Sequence, residues 1–139
     1  MSNAIWQLAR THRAYAGALL RELDLFPGQE LLLMRLSDTG PQTQTELARH
    51  LACDHSTIAK SLARMEAAGL IARCASPDDR RATKVSLTAK GEAMRTHIDA
   101  VWERLEHATA AALRPDDRKQ LVRLMASVEQ SIAAAAARG

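Results

Sequence analysis

The stretch TQTELARHLACDHSTIAKSLARMEAAG, residues 43–69, decides the fold. Thr43 and Glu46 stand at capping-box spacing, T-x-x-E: the Thr hydroxyl accepts from the third helical amide and the Glu side chain reaches back to the cap's own N–H. Leu47 and Leu51 follow at helical spacing, so a short helix is expected over about 43–51. Ala52-Cys53 makes a turn, and Asp54 is a suitable N-cap for a second helix running to about Ala68. Gly69 supplies that helix with a C-terminal stop. Ile58, Leu62 and Met65 form one stripe of the second helix and would pack it onto the first.

Working outward, residues 70–75 and 82–87 read as two strands, the second alternating Thr83, Val85, Leu87 against Lys84, Ser86. Ser76-Pro77-Asp78-Asp79-Arg80-Arg81 between them is a polar, charged hairpin loop. Towards the N-terminus, Ile5, Leu8, His12, Tyr15, Leu19 and Leu23 fall three or four apart and predict a first helix. Pro27 is placed to open a second helix over about 27–38, whose Leu31, Leu32, Leu33, Met34 and Leu36 imply burial on most sides. Asp38-Thr39-Gly40-Pro41 ends it. Beyond the hairpin, Thr88 caps a long fifth helix with the stripe Met94, Ile98, Val101, Trp102, Leu105 and Ala112. Pro115 opens a sixth with Leu121, Leu124, Val128 and Ile132 on one side. The order defines a mainly α fold with a small β-hairpin: a winged helix-turn-helix flanked by N- and C-terminal helices.

A chain of 139 residues suffices for one domain, and with only four aromatic residues its core must be built from Leu, Ala, Ile, Val and Met. The net charge of +3 is carried by residues 41–95, with nine Lys/Arg against six Asp/Glu; the other 84 residues sum to zero. A mild basic excess in the centre suits a nucleic-acid partner and is also common in proteins with other roles. No stretch reaches the roughly 18 apolar residues of a membrane span and the N-terminus does not read as a signal peptide, so a cytoplasmic location is expected. Cys53 and Cys74 form no metal-ligand spacing, and His12, His50, His55, His97 and His107 show no paired spacing beside carboxylates; no metal or cofactor is expected. No nucleophile elbow, P-loop or H-E-x-x-H pattern marks an enzyme.

The chemistry sits on the fourth helix. Thr57, Lys60, Ser61 and Arg64 lie at i, i+3, i+4 and i+7, a second stripe of short hydroxyls and two cations without a carboxylate. Hydroxyls reach base edges and cations meet guanine or phosphate in a major groove, and His55 and Ser56 occupy the first turn, where a recognition helix touches bases. The same stripe also fits an ordinary amphipathic helix with a solvated face. Arg80 and Arg81 at the hairpin tip, with Lys84 just beyond, suit a narrow minor groove or phosphates; with Asp78 and Asp79 adjacent, they equally fit a solvated charge cluster.

Three segments carry a family resemblance. Glu46-Leu47-Ala48-Arg49-His50-Leu51, Ser56-Thr57-Ile58 and Met65-Glu66-Ala67-Ala68-Gly69-Leu70-Ile71 resemble the helix-turn-helix of the MarR family. Asp78-Asp79-Arg80-Arg81-Ala82-Thr83-Lys84-Val85-Ser86-Leu87-Thr88-Ala89-Lys90-Gly91 is similar to that family's wing signature, D-x-R followed by an alternating strand and L-T-x-x-G. Leu25-Phe26-Pro27-Gly28-Gln29 resembles its start of helix two. The chain departs from the family in three places: Ala52-Cys53 replaces a turn that commonly carries glycine, and Phe26 and Arg114 stand where a capping Ser or Thr is usual.

The resemblance implies a single MarR-type domain over 1–139, with a DNA-binding lobe at 27–88, its wing at 75–84, and dimerisation helices at 5–26 and 89–137. It implies a homodimeric regulator of transcription, a repressor more often than an activator, that binds double-stranded DNA at a pseudo-palindromic operator. Within it, Ser56, Thr57 and Ser61 are candidates for base contacts, His55 for the groove edge, and Thr43, Lys60 and Arg64 for phosphate; Arg80 and Arg81 read from the wing, supported by Lys84. Release by a small aromatic or anionic effector is also implied, with Trp6, Arg10, His12, Tyr15 and Trp102 as candidate pocket residues, although helical core packing also accounts for the aromatic ones. Two alternatives remain: a cysteine-based redox sensor, and a winged-helix module that binds protein instead of DNA. For the first, Cys53 lies just before a helix N-terminus, where a thiol pKa can fall, but Asp54 beside it opposes this.

Overall fold

The computed structural model describes residues 1–75 and 83–138. Its elements are α1 (Ser2–Arg21), α2 (Gln29–Thr39), β1 (Gln42–Thr43), α3 (Gln44–His50), α4 (His55–Ala67), β2 (Ile71–Ala75), β3 (Thr83–Leu87), α5 (Ala89–Ala110) and α6 (Pro115–Ala136). One compact unit runs from Met1 to Leu105, and a second begins at Glu106.

The core of the first unit is aliphatic, as the composition requires. Leu19 and Leu20 of α1, Leu32, Leu33 and Leu36 of α2, Leu47 of α3, and Ile58, Leu62 and Met65 of α4 are buried with Val85, Ile98, Val101 and Leu105. The expected packing stripe of α4 is thus the buried one. On α2 the burial is one-sided: Leu31 is exposed and Met34 half-buried, so the dense leucine run does not mean burial on most sides.

The sheet is three-stranded, in the order β1-β3-β2 with both pairings antiparallel. The hairpin pairs Ile71 with Leu87 through Ala75 with Thr83. The third strand, Gln42–Thr43, pairs with Val85 and Lys84 and was not expected. Two residues carry no period to read; they are a strand because β3 offers them a partner.

Local chemistry sets the boundaries. Helix α2 begins at Gln29, two residues after the expected Pro27, because Gly28 adopts φ 96° and cannot belong to a right-handed helix. Phe26 offers no side-chain cap, and its own N–H donates to Gln29 Oε1 at 3.0 Å. The α3 capping box is present in both directions, Thr43 Oγ1 accepting from the Glu46 amide and Glu46 Oε2 from the Thr43 amide at 2.7 Å. Asp54 caps α4 by accepting from the Thr57 amide at 2.8 Å. Helix α5 ends at Ala110, which leaves Ala112 in the following turn and off the expected stripe.

The junction between β3 and α5 is tightly drawn. Thr88 Oγ1 accepts from the Gly91 amide at 3.1 Å and its hydroxyl donates to the Gly69 carbonyl at 2.6 Å. The Thr88 amide donates to Leu70 O at 3.1 Å, and Lys90 Nζ to Ala68 O at 2.8 Å. The last three of those contacts fasten the chain just after α4 to the start of α5, and the first caps α5 itself. In the second unit α6 starts with Pro115 at its first turn and Asp116 and Asp117 at the positive end of its dipole, and none of its residues is buried.

Candidate nucleic-acid interface

The site is built on α4, whose orientation is fixed by three buried residues. With Ile58, Leu62 and Met65 facing the core, the 3.6-residue period turns Ser56, Lys60, Ala63 and Arg64 to the opposite side, and all four are exposed. His55 and Thr57 are also exposed, whereas Ser61 is half-buried. Thr57 and Ser61 border a cavity of about 180 Å³ that also touches Pro27, Gly28, Leu31 and Cys53. The predicted stripe is therefore split: Lys60 and Arg64 face outward, while Thr57 and Ser61 lean towards the start of α2.

Several of these side chains are already engaged. The Thr57 hydroxyl donates to Asp54 Oδ2 at 2.7 Å, and this bond, with the Thr57 amide, holds the Asp54 carboxyl below its ordinary pKa. The Thr43 hydroxyl is shared with Glu46, whose carboxyl is lowered first by the Thr43 backbone N–H. Arg64 lies with its guanidinium carbon 5.0 Å from the centre of the Phe26 ring. Lys60 makes no hydrogen bond or ion pair among the described residues. Glu66 is turned aside and paired with Arg73 of β2 at 3.2 Å. A rod-like face carrying a hydroxyl and two cations, with no carboxylate on it, can meet a polyanion without a desolvated acid in the way.

Arg80 and Arg81 lie outside the described residues. Lys84 is half-buried on β3, in register with Thr43 and Cys74. The Cys74 thiol donates to the Lys84 carbonyl at 3.6 Å, while Cys53 is half-buried against the core edge; both are free thiols.

Among the described residues, none of the cavities seen is lined by all five candidate effector residues. Trp6 and Arg10 do come together, the guanidinium 5.3 Å from the ring centre, and line an open groove of about 340 Å³ with Ala9, Arg13 and Ala14. His12, Tyr15 and Trp102 are not part of that lining. The reason is angular: His12 and Tyr15 lie on a different side of α1 from residues 6, 10 and 13. Among the described residues no group of His, Cys, Asp and Glu is placed to hold a metal ion, and no helix is long and apolar enough to cross a membrane.

Sequence reasoning missed Phe26 and Ala63. Ala63 could have been found from the helical period alone. Phe26 could not, because its partner is 38 positions away in sequence.

A short helix, a turn, an outward basic helix and a three-stranded wing define a winged helix-turn-helix protein. The MarR family profile matches residues 25–83. A solved structure of a probable transcriptional regulator from Pseudomonas aeruginosa is 32% identical, covers 89% of this chain and 96% of its own, and superposes with a TM-score of 0.76. A crystal structure of MarR is 27% identical, with coverages of 100% and 95% and a TM-score of 0.79. The MepR–DNA complex of S. aureus, at 20% identity, shares the fold with a TM-score of 0.83 and coverages of 94% and 97%. The chain belongs to the MarR family of winged helix transcriptional regulators.

Proposed function

We propose that the chain acts in the cytoplasm as a homodimeric repressor that binds double-stranded DNA at a pseudo-palindromic operator and is released by a small aromatic or anionic molecule. The observation that carries the reading is the outward face of α4, where Ser56, Lys60 and Arg64 are exposed with no carboxylate among them. In this reading α4 enters the major groove. Ser56 and Thr57 contact bases from its first turns with His55 at the groove edge and Ser61 behind them, while Lys60, Arg64 and Thr43 bind phosphate. Arg80 and Arg81 of the wing reach the neighbouring minor groove, with Lys84 supporting them. The effector site is drawn round the Trp6–Arg10 pair, the two candidate pocket residues that meet.

Selection from randomised duplex DNA at fixed moderate salt tests the reading. One pseudo-palindrome with half-sites about 34–36 Å apart is expected. Recovery of nothing above background, repeated after dialysis to strip small molecules, would sink it. On the selected site Lys60→Ala should weaken binding to all sequences and reduce the salt slope by about one, as loss of a phosphate contact does.

A further inference from the structure

Phe26 is a large aromatic residue with 57% of its surface exposed, at a position where the family resemblance places a small capping residue. It contributes nothing to the core and caps nothing. Its backbone is nonetheless held firmly: its N–H donates to Gln29 Oε1 and its carbonyl accepts from the Gln29 amide, both at 3.0 Å. Leu25 before it is buried, and Pro27 after it has a fixed φ. The ring is thus an exposed platform on a rigid mount, and what lies over it is the Arg64 guanidinium at 5.0 Å.

We propose that Phe26 is a positioning residue, which holds the Arg64 guanidinium stacked so that its N–H groups point outward to a DNA backbone phosphate. A planar guanidinium bound through its face keeps its in-plane donors free, and restricting its torsions beforehand reduces the ordering cost of contact with phosphate. Lysine could not use the platform in this way, since an ammonium has no face to stack. The sequence departure at residue 26 has a function on this account: a capping side chain is given up, Gln29 fixes the backbone of residue 26, and an arginine of the DNA-facing helix acquires a fixed direction. The inference rests on the DNA-binding reading above.

The test compares Phe26→Leu, Phe26→Tyr, Arg64→Ala and the double variant Phe26→Leu/Arg64→Ala, titrated against the selected operator and against a scrambled duplex. Phe26→Leu should weaken binding about two- to fivefold, the factor expected for an exposed cation–π pair, and by the same factor on both duplexes. Phe26→Tyr should bind as the parent does, and Phe26→Leu should change nothing once Arg64 is alanine. A readout without DNA accompanies these: the Arg64 side-chain protons should show a ring-current shift that Phe26→Leu abolishes. Parent-like binding by Phe26→Leu, or an equal loss in the Arg64→Ala background, overturns the proposal while leaving the DNA reading intact. A parent protein that shows no salt-dependent retention on either duplex overturns both. Thermal melting of each variant separates folding from positioning, and a Phe26→Leu chain that melts early and loses its affinity in proportion assigns Phe26 a structural role and overturns the proposal.

Discussion

Ala52 shows how one residue can hold strain that a neighbour's chemistry does not relieve. It closes α3 with φ 48°, the left-handed region, while its amide donates to Arg49 O at 3.3 Å and that of Cys53 to Ala48 O at 3.1 Å. A methyl-bearing residue there costs roughly 1–2 kcal/mol relative to glycine. Ala52→Gly should therefore stabilise the protein by about 1 kcal/mol in denaturant unfolding, after the glycine's greater unfolded-state freedom is subtracted. An unchanged midpoint would mean that the turn relaxes freely. Two positions on, Asp54 makes a pH-dependent contribution. Its folded pKa lies below the ordinary carboxylate value of about 3.9, so as pH falls the unfolded chain takes up the proton first. The stability is present above the ordinary value and is lost as pH drops through the folded one. Asp54→Asn, which keeps an acceptor but no charge, should melt below the parent at pH 7, and the gap should close in acid; a gap constant with pH would remove the charge from the account.

At the scale of elements, the bond set around Thr88 explains why L-T-x-x-G follows the second wing strand. A Cβ built on Gly91 would stand 2.0 Å from Leu70 O and 3.1 Å from Leu70 C, both backbone atoms that no rotamer can move. Only glycine lets the start of α5 approach the end of α4 so closely. Gly91→Ala should cost more than the 1–3 kcal/mol of ordinary overpacking, measured by denaturant unfolding, and should weaken DNA binding further than the stability loss explains, because α4 is displaced with it. A parent-like melt and affinity would contradict the close approach. The caps were legible, since Thr43, Glu46, Asp54 and Thr88 act on neighbours three positions away, whereas the ties from Thr88 and Lys90 back to residues 68–70 cross about twenty positions. The parts that were not legible depend on distant partners. Strand β1 exists through Val85 and Lys84, and the late start of α2 through the conformation of Gly28 and the side chain of Gln29. The polar stripe of α4 was legible as residue types and spacing. The division of its stripe was not, because it depends on where the start of α2 packs beside Thr57 and Ser61.

At the scale of the molecule, the decisive quantity is uncovered apolar surface. On α1, Ile5, Trp6, Leu8 and Tyr15 are exposed; on α6, Leu121, Val122, Leu124, Met125 and Ile132 are exposed. Soluble monomers rarely leave such sets open to water. Ion pairs do not offset them: Arg95–Asp38 at 2.6 Å and Arg104–Glu22 at 2.7 Å tie α5 to the ends of α2 and α1, but such exposed pairs are screened by water and contribute little. Leu121, Leu124, Met125 and Ile132 repeat at i, i+3, i+4 and i+11, one continuous stripe of α6. In the dimer proposed above, a second copy of the chain covers it. The parent should sediment at twice its 15.2 kDa at micromolar concentration. Leu124→Glu, at a side chain 56% exposed in the single chain, should sediment as a monomer with its helical circular dichroism unchanged. Its affinity for the full operator should fall to that for an isolated half-site, because the second α4 no longer arrives with the first and the effective concentration it supplied is gone. A parent that is monomeric and still binds the palindrome tightly would sink the dimer account, since neither the apolar stripe nor the two-fold symmetry of the site would then have a cause.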